Sequence, residues 1–320
     1  MMPPATGQNA PMQRSSAGWI IGVAVVVLVA VIGFLLFANR QTAEPGASPS
    51  PPASVAASAS ASVAADVLER RWTVLFVGTD HNAEREAAGE PINADSLMLV
   101  RLSADQSTLS LIGLPRDTVD VPLPDGGTYE GKINELYRDE GIEALRGAME
   151  TLFDVPIDAH VVLDMDDVEA LVEAAGGVDV NPPSPLADPI VDLDLDAGPQ
   201  ELDAATAIGY VWTRVDEDYG RMRRQQEVIV ALVGRLTDPD AGIDLRPLLD
   251  GLESLETDLP LDDLETLMEL GRRAVDADAT NLIIEPPLIT FEGDRDDGRG
   301  YVLEADFEAI RAEVQALIGD

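Results

Sequence analysis

Twenty consecutive residues without a charge, Trp19 to Ala38 (WIIGVAVVVLVAVIGFLLFA), constrain the fold more than any other feature. At about 1.5 Å per helical residue the run reaches roughly 30 Å, the depth of a bilayer core. A core helix at a chain terminus would carry a polar side, and this run has none. A cleavable leader has a shorter apolar region of roughly 7–15 residues, closely followed by small residues. Asn39-Arg40-Gln41 offers no such site. The run predicts one transmembrane helix over residues 19–38 behind a short cytoplasmic tail, 1–18. The amino terminus and Arg14, set against Arg40 and Glu44, give a slight positive-inside bias for that orientation.

The chain beyond the anchor is expected to lie outside the cytoplasm. Residues 39–69 are dominated by Ala, Ser and Pro, with little to bury, so they are expected to form a disordered linker. Globular character begins near Arg71, which makes residues 70–320 one extracytoplasmic domain tethered to the cell membrane by a single pass. The formal charge is −38, so a phosphate backbone would be repelled by most of the surface and nucleic acid is excluded as a partner. The chain has no cysteine, which rules out disulfides, thiolate metal sites and a thiol-linked lipid anchor.

Within the domain, WTVLFVG (72–78) reads as a buried strand, as do Leu97–Leu102, Thr108–Gly113 and Ala159–Leu163. Helices are expected over Glu140–Phe153, Asp167–Ala175, Asp203–Trp212, Tyr219–Leu236, Leu261–Val275 and Asp306–Ile318. Val178–Val180 is extended after the stop at Gly176-Gly177. Strands alternating with helices imply an α/β fold, a three-layer α/β/α sandwich around a central mixed sheet.

Charge reverses sign around Tyr210 to Leu236. Arg214, Arg221, Arg223 and Arg224 fall within eleven residues of a strongly acidic chain. Asp218 is placed to cap the helix that starts at Tyr219. Arg221 and Gln225 share a helix face, with Arg224 beside them. Guanidinium groups at a helix N-terminus suit a phosphate, because forked donors and helix dipole act on one anion. A salt-bridged, solvated helix start is the plain alternative. Asp95 before a strand, Arg116-Asp117 after one, and the sole lysine, Lys132, with Asn134 in a loop also sit at element ends, where side chains converge. Two aspartates beside several arginines suit Mg²⁺ (or Mn²⁺) with a diphosphate: hard oxygen ligands for the metal, planar donors for the phosphate.

Taken in order, Gly78-Thr79-Asp80, Asp95-Ser96, Leu114-Pro115-Arg116-Asp117, Lys132-Ile133-Asn134, Gly176-Gly177-Val178 and Gly220-Arg221-x-x-Arg224-Gln225-Gln226 resemble the LytR–CpsA–Psr family. The likeness spans about Trp72 to Leu236. It implies a membrane-anchored phosphotransferase that moves a glycopolymer from a polyprenyl-pyrophosphate carrier to peptidoglycan and releases polyprenyl phosphate. Carried over residue by residue, it implies that Asp95 and Asp117 hold Mg²⁺. Arg116, Arg214, Arg221 and Arg224 would hold the pyrophosphate, Gln225 would line the pocket, and Lys132 and Asn134 would complete the Lys-Ile-Asn block. The catalytic set implied is Arg116, Asp117, Asp95 and Arg221.

The chain also departs from the family pattern. Asn93-Ala94 stands where the family commonly has Arg-Ser, and Trp212 replaces the first arginine of an Arg-x-Arg ending at Arg214. A lost charge-assisted contact costs about 10²–10³ in rate, and Arg223, His81 or Arg85 is positioned in sequence to compensate. The alternatives are a non-catalytic relative that binds polyprenyl-linked intermediates or cell wall, or a pyrophosphate hydrolase. Asp192-Leu-Asp194-Leu-Asp196 reads as an amphipathic strand rather than a calcium loop. His81 and His160 are too isolated for a zinc site or triad, and no phosphate-cradling glycine motif is present.

Overall fold

Side chains alternate along a strand, and in Trp72–Thr79 (β1) that alternation divides two apolar layers. Trp72, Val74 and Phe76 enter one cluster, Leu75 and Val77 the other. The computed structural model describes residues 70–237, 256–259, 270, 271, 273, 274 and 276–319. After β1 come α1 (Ala83–Ala88), β2 (Ala94–Leu102), β3 (Thr108–Leu114), β4 (Val121–Pro122), β5 (Thr128–Tyr129), α2 (Ile133–Glu140), α3 (Ile142–Phe153) and β6 (Ala159–Leu163). Next are α4 (Met165–Ala174), β7 (Val178–Val180), β8 (Leu186–Asp188), β9 (Leu193–Leu195), β10 (Gln200–Leu202), α5 (Ala204–Trp212) and α6 (Glu217–Thr237). The chain closes with β11 (Glu256–Thr257), β12 (Asp278–Ile283), β13 (Ile289–Arg295), β14 (Gly300–Ala305) and α7 (Phe307–Ile318).

The central sheet runs β11-β6-β1-β2-β3-β12. β1 pairs parallel with β6 and β3 with β12, while the other neighbours are antiparallel, so the sheet is mixed. Leu171, Tyr210, Val228 and Leu232 from α4, α5 and α6 cover one face. Ile133, Leu145, Met149, Ile310 and Val314 from α2, α3 and α7 cover the other. Burial on both faces explains why β1 and β3 read as near-continuous apolar runs. The expected α/β class with a mixed central sheet therefore holds.

Several boundaries move. The helix expected over Glu140–Phe153 is α3, starting at Ile142, because Gly141 (φ 83°) adopts a backbone that other residues resist and separates it from α2, which ends at Glu140. Lys132 and Asn134, expected in a loop, start α2 as its N-cap and second residue. Asp218 does not cap α6; the helix starts two residues earlier than expected, at Glu217, and Asp218 lies in its first turn. Leu193–Leu195 is a strand with Leu193 and Leu195 buried, as the alternation implies. Among the described residues no helix is long and apolar enough to cross a membrane; the run at 19–38 and the linker lie outside them. The helix expected over 261–275 lies largely outside them too, and residues 270, 271, 273 and 274 of it are helical.

Candidate functional site

The carboxyl end of β3, the first residues of β2, the start of α2 and the start of α6 meet at one end of the sheet. Asp95, second in β2, anchors the meeting point. Its Oδ2 pairs with Arg116 Nη1 and lies 3.7 Å from Arg214 and 3.9 Å from Arg221. Its Oδ1 is 3.5 Å from the Asn134 amide, which α2 delivers. Asp117 Oδ1 accepts from Lys132 Nζ at 2.7 Å, and its Oδ2 is 3.5 Å from Arg116 Nε. Asp218 joins them at 3.3 Å from Arg221, 3.8 Å from Arg116 and 3.9 Å from Arg214. Three carboxylates thus face four cations, a local excess of positive charge in a chain of −38.

Not all polar atoms in this cluster are used: two guanidinium donors and two amide acceptors are left over. Among the described residues, Arg116 Nε, Arg221 Nε, Asn134 Oδ1 and Gln225 Oε1 are buried without a hydrogen-bond partner. Buried polar atoms are nearly always paired, so four orphans within one cluster mark a place where a ligand completes the network. Burial draws the Arg221 guanidinium below its ordinary value, aided by Arg116 and Arg214 and opposed by Asp218 and Asp95. An added anion would act with Asp218 and Asp95 against that shift. Beside the cluster a cleft opens between the sheet and α4, α5 and α6. Asp95, Arg221 and Gln225 stand at its charged end, and Phe76, Val168 and Val211 lie among its apolar walls.

Arg224 does not join this cluster. Its Nε donates to the Tyr210 carbonyl at 2.7 Å, one terminal nitrogen donates to the Thr213 carbonyl, and the other pairs with Asp216. It is 4 % exposed and holds the segment between α5 and α6, which carries Arg214. The pair also accounts for Gly220, where a Cβ would run into the Asp216 carboxylate. Nor do the three proposed substitutes reach the cluster. Arg223 pairs with Glu285, Arg85 with Asp80 and Glu90, and His81 lies 3.9 Å from Glu86. The arginine that comes to Asn93 is Arg138, donating to its Oδ1 at 3.0 Å. Trp212, at the second departure, is 39 % exposed and lines the cleft.

The sequence pattern of the LytR_cpsA_psr family matches residues 50–305. The chain belongs to the LytR–CpsA–Psr (LCP) family. Among relatives of this LCP protein is a "Probable cell wall biosynthesis protein LcpB" of Corynebacterium glutamicum. It is 31 % identical over 239 residues, 71 % of this chain and 53 % of the relative. The chain thus spans about half the length of that relative. A "Polyisoprenyl-teichoic acid--peptidoglycan teichoic acid transferase TagU" of Halalkalibacterium halodurans is 27 % identical over 302 residues, covering 92 % and 94 % of the two chains. Among solved structures, Bacillus subtilis TagV superposes with a TM-score of 0.62 at 22 % identity, over 78 % of this chain and 98 % of that one. At that identity the likeness establishes the LCP fold alone.

Asp218 escapes sequence reasoning as a site residue because its position suits a cap; its i,i+3 spacing to Arg221 is the available signal. A cavity of about 1100 Å³ lies on the face of α6 bearing Gly220, Arg223, Arg224 and Glu227, and its lining includes neither Asp95 nor Asp117.

Proposed function

We propose that the protein transfers a glycopolymer from a polyprenyl-pyrophosphate carrier to peptidoglycan. The observation that carries this is the convergence of Arg116, Arg214, Arg221 and Lys132 on Asp95, Asp117 and Asp218, with buried donors still unused, at the mouth of an apolar cleft. The diphosphate would take the free guanidinium N–H groups, and the first atoms of the isoprenoid tail would enter the cleft, about 70 Å³ in volume. A sugar hydroxyl of the acceptor attacks the phosphorus next to the glycan. The P–O bond to the second phosphate breaks, and polyprenyl phosphate leaves. A carboxylate of the cluster takes the hydroxyl proton, and the arginines stabilise the charge that develops on the phosphate oxygens.

A divalent cation fits the donor set in a restricted way. Among the described residues no group of three or more metal-binding side chains gathers. Asp95 and Asp117 nonetheless offer hard oxygens, and Mg²⁺ is commonly held by one or two carboxylates with substrate phosphates and water completing its shell. Asp95 and Asp117 would hold Mg²⁺ (or Mn²⁺), which when bound neutralises phosphate charge. The uncharged run at 19–38 is the proposed anchor, with the domain on the extracytoplasmic side.

The test incubates the full chain with a polyprenyl-pyrophosphate-linked glycan, with and without peptidoglycan fragments, in Mg²⁺ or chelator. Acceptor-dependent release of polyprenyl phosphate, lost in Asp117→Ala and Arg221→Ala, is expected. Release without acceptor would make the protein a hydrolase. Tight binding without turnover would make it a binding relative and assign Trp212 and Asn93 as the cause.

A further inference from the structure

The hairpin of β13 and β14 is fastened to the candidate site by its backbone. Leu303 N–H donates to the Asp117 carbonyl at 3.0 Å, and Val119 N–H donates to the Leu303 carbonyl at 3.0 Å. Two residues before Leu303, Tyr301 stands 43 % exposed on β14. Its hydroxyl donates to one oxygen of Glu292 on β13, and the other oxygen lies 3.4 Å from the Tyr219 hydroxyl. Tyr219 is on α6, between Asp218 and Arg221. One glutamate therefore ties two phenols, one on the strand bonded to the Asp117 backbone and one on the helix that carries Asp218, into a single surface. Burial and the Glu292 carboxylate push both phenols upward, so both remain hydroxyl donors at neutral pH.

Exposed aromatic side chains with a polar edge bind partners that are apolar on one side and wet on the other. A pyranose ring answers that description: its C–H face lies on a ring, and its rim hydroxyls bond to a carboxylate. Among the described residues the exposed aromatics are Trp212, in the cleft, and Tyr301, on the hairpin. The cleft lining includes neither Asp117 nor any hairpin residue. In a phosphoryl transfer the attacking and leaving oxygens are roughly in line. With the leaving polyprenyl phosphate in the cleft, the attacking sugar approaches from elsewhere, and the surface tied to Asp117 and Asp218 is the hairpin.

We propose that Tyr301, Tyr219 and Glu292 form the acceptor wall, which takes a pyranose ring of the peptidoglycan glycan strand beside Asp117. The assignment to the acceptor rests on the transferase reading above; the sugar-binding surface does not.

The test is calorimetric titration of the full chain with a soluble, lipid-free peptidoglycan fragment, and separately with a glycan-free polyprenyl pyrophosphate and with a carrier-linked glycan. Tyr301→Ala is expected to weaken the fragment about tenfold and Glu292→Gln about fivefold, while both leave the glycan-free carrier within twofold. Glu292→Gln is nearly isosteric, so it decides the matter should Tyr301→Ala fold poorly. A wild-type chain that does not bind the fragment, or fragment affinity unchanged in both variants, overturns the proposal. Lost affinity for a carrier-linked glycan with unchanged affinity for the fragment moves the wall to the donor and overturns the acceptor assignment. Fragment binding lost in the variants, in a chain that ignores the glycan-free carrier, supports the sugar surface while sinking the diphosphate reading.

Discussion

Arg221 and Arg224 stand one turn apart on α6, each with a side chain 4 % exposed, and they do different work. Arg224 spends its donors on two carbonyls and Asp216, so the segment between α5 and α6 is pinned. Arg221 meets Asp218 and Asp95 at 3.3 and 3.9 Å and leaves its Nε unpartnered at the cleft. Burial alone therefore does not tell a binding arginine from a structural one. The use of its donors does, because Arg224 engages all three nitrogens, with four of its five N–H groups bonded, and Arg221 leaves its Nε open.

The largest effect that separates the two is on stability. Arg224→Ala leaves two carbonyls without their donor, while water takes over the part-exposed Asp216, and a loss of about 2–4 kcal/mol is expected. Urea denaturation measures it, and a loss below about 1 kcal/mol would show that the segment holds itself. Arg221→Lys keeps the charge but loses the fork, and turnover should fall about 10²–10³-fold. Its urea midpoint should shift far less than that of Arg224→Ala; equal shifts would erase the distinction.

Gly220→Ala probes the boundary between the two. Crowding the Asp216 carboxylate is expected to cost about 1–3 kcal/mol. In an Asp216→Ala background the same change should cost much less, and a cost that persists there would point to some other clash. The smallest effect is on pH dependence. Burial, then Glu227, pushes the Tyr210 phenol upward from its ordinary value of about 10. A raised folded-state value keeps this contribution whole below about pH 10 and erodes it as pH rises further, since the unfolded chain ionises first. Urea midpoints at pH 8 and above pH 10 should therefore diverge less in Tyr210→Phe than in the parent.

The sheet core was legible because β1, β2, β3 and β6 are buried on both faces and so read as apolar runs bounded by turns. That Asp95, Arg116, Asp117, Lys132, Asn134, Arg214 and Arg221 lie at element ends was legible, but spacing along the chain does not report that they meet. Arg224 misled, since spacing reports the helix face a side chain leaves from and not which partners use up its donors. The hairpin of β13 and β14 was missed because its alternation is half-exposed and acidic, with Glu292, Asp294 and Glu304 among its residues. Edge strand β12, Asp-Ala-Thr-Asn-Leu-Ile, is too polar to read as sheet; it is set by its parallel partner β3.

That parallel pairing bears on the order in which the chain can fold. Ser110 on β3 meets Thr280 on β12 across a sequence separation of 170 residues. β1, β2 and β3 form a meander from neighbouring sequence and can zip as soon as they are made. β3 must then wait, with a free hydrogen-bonding edge, until most of the domain has been synthesised. Non-local parallel pairing is slow, and an unpaired edge invites a stray strand. A chain cut short before Asp278 would keep the candidate site's residues from Asp95 to Arg221 and still lack the strand that closes its sheet.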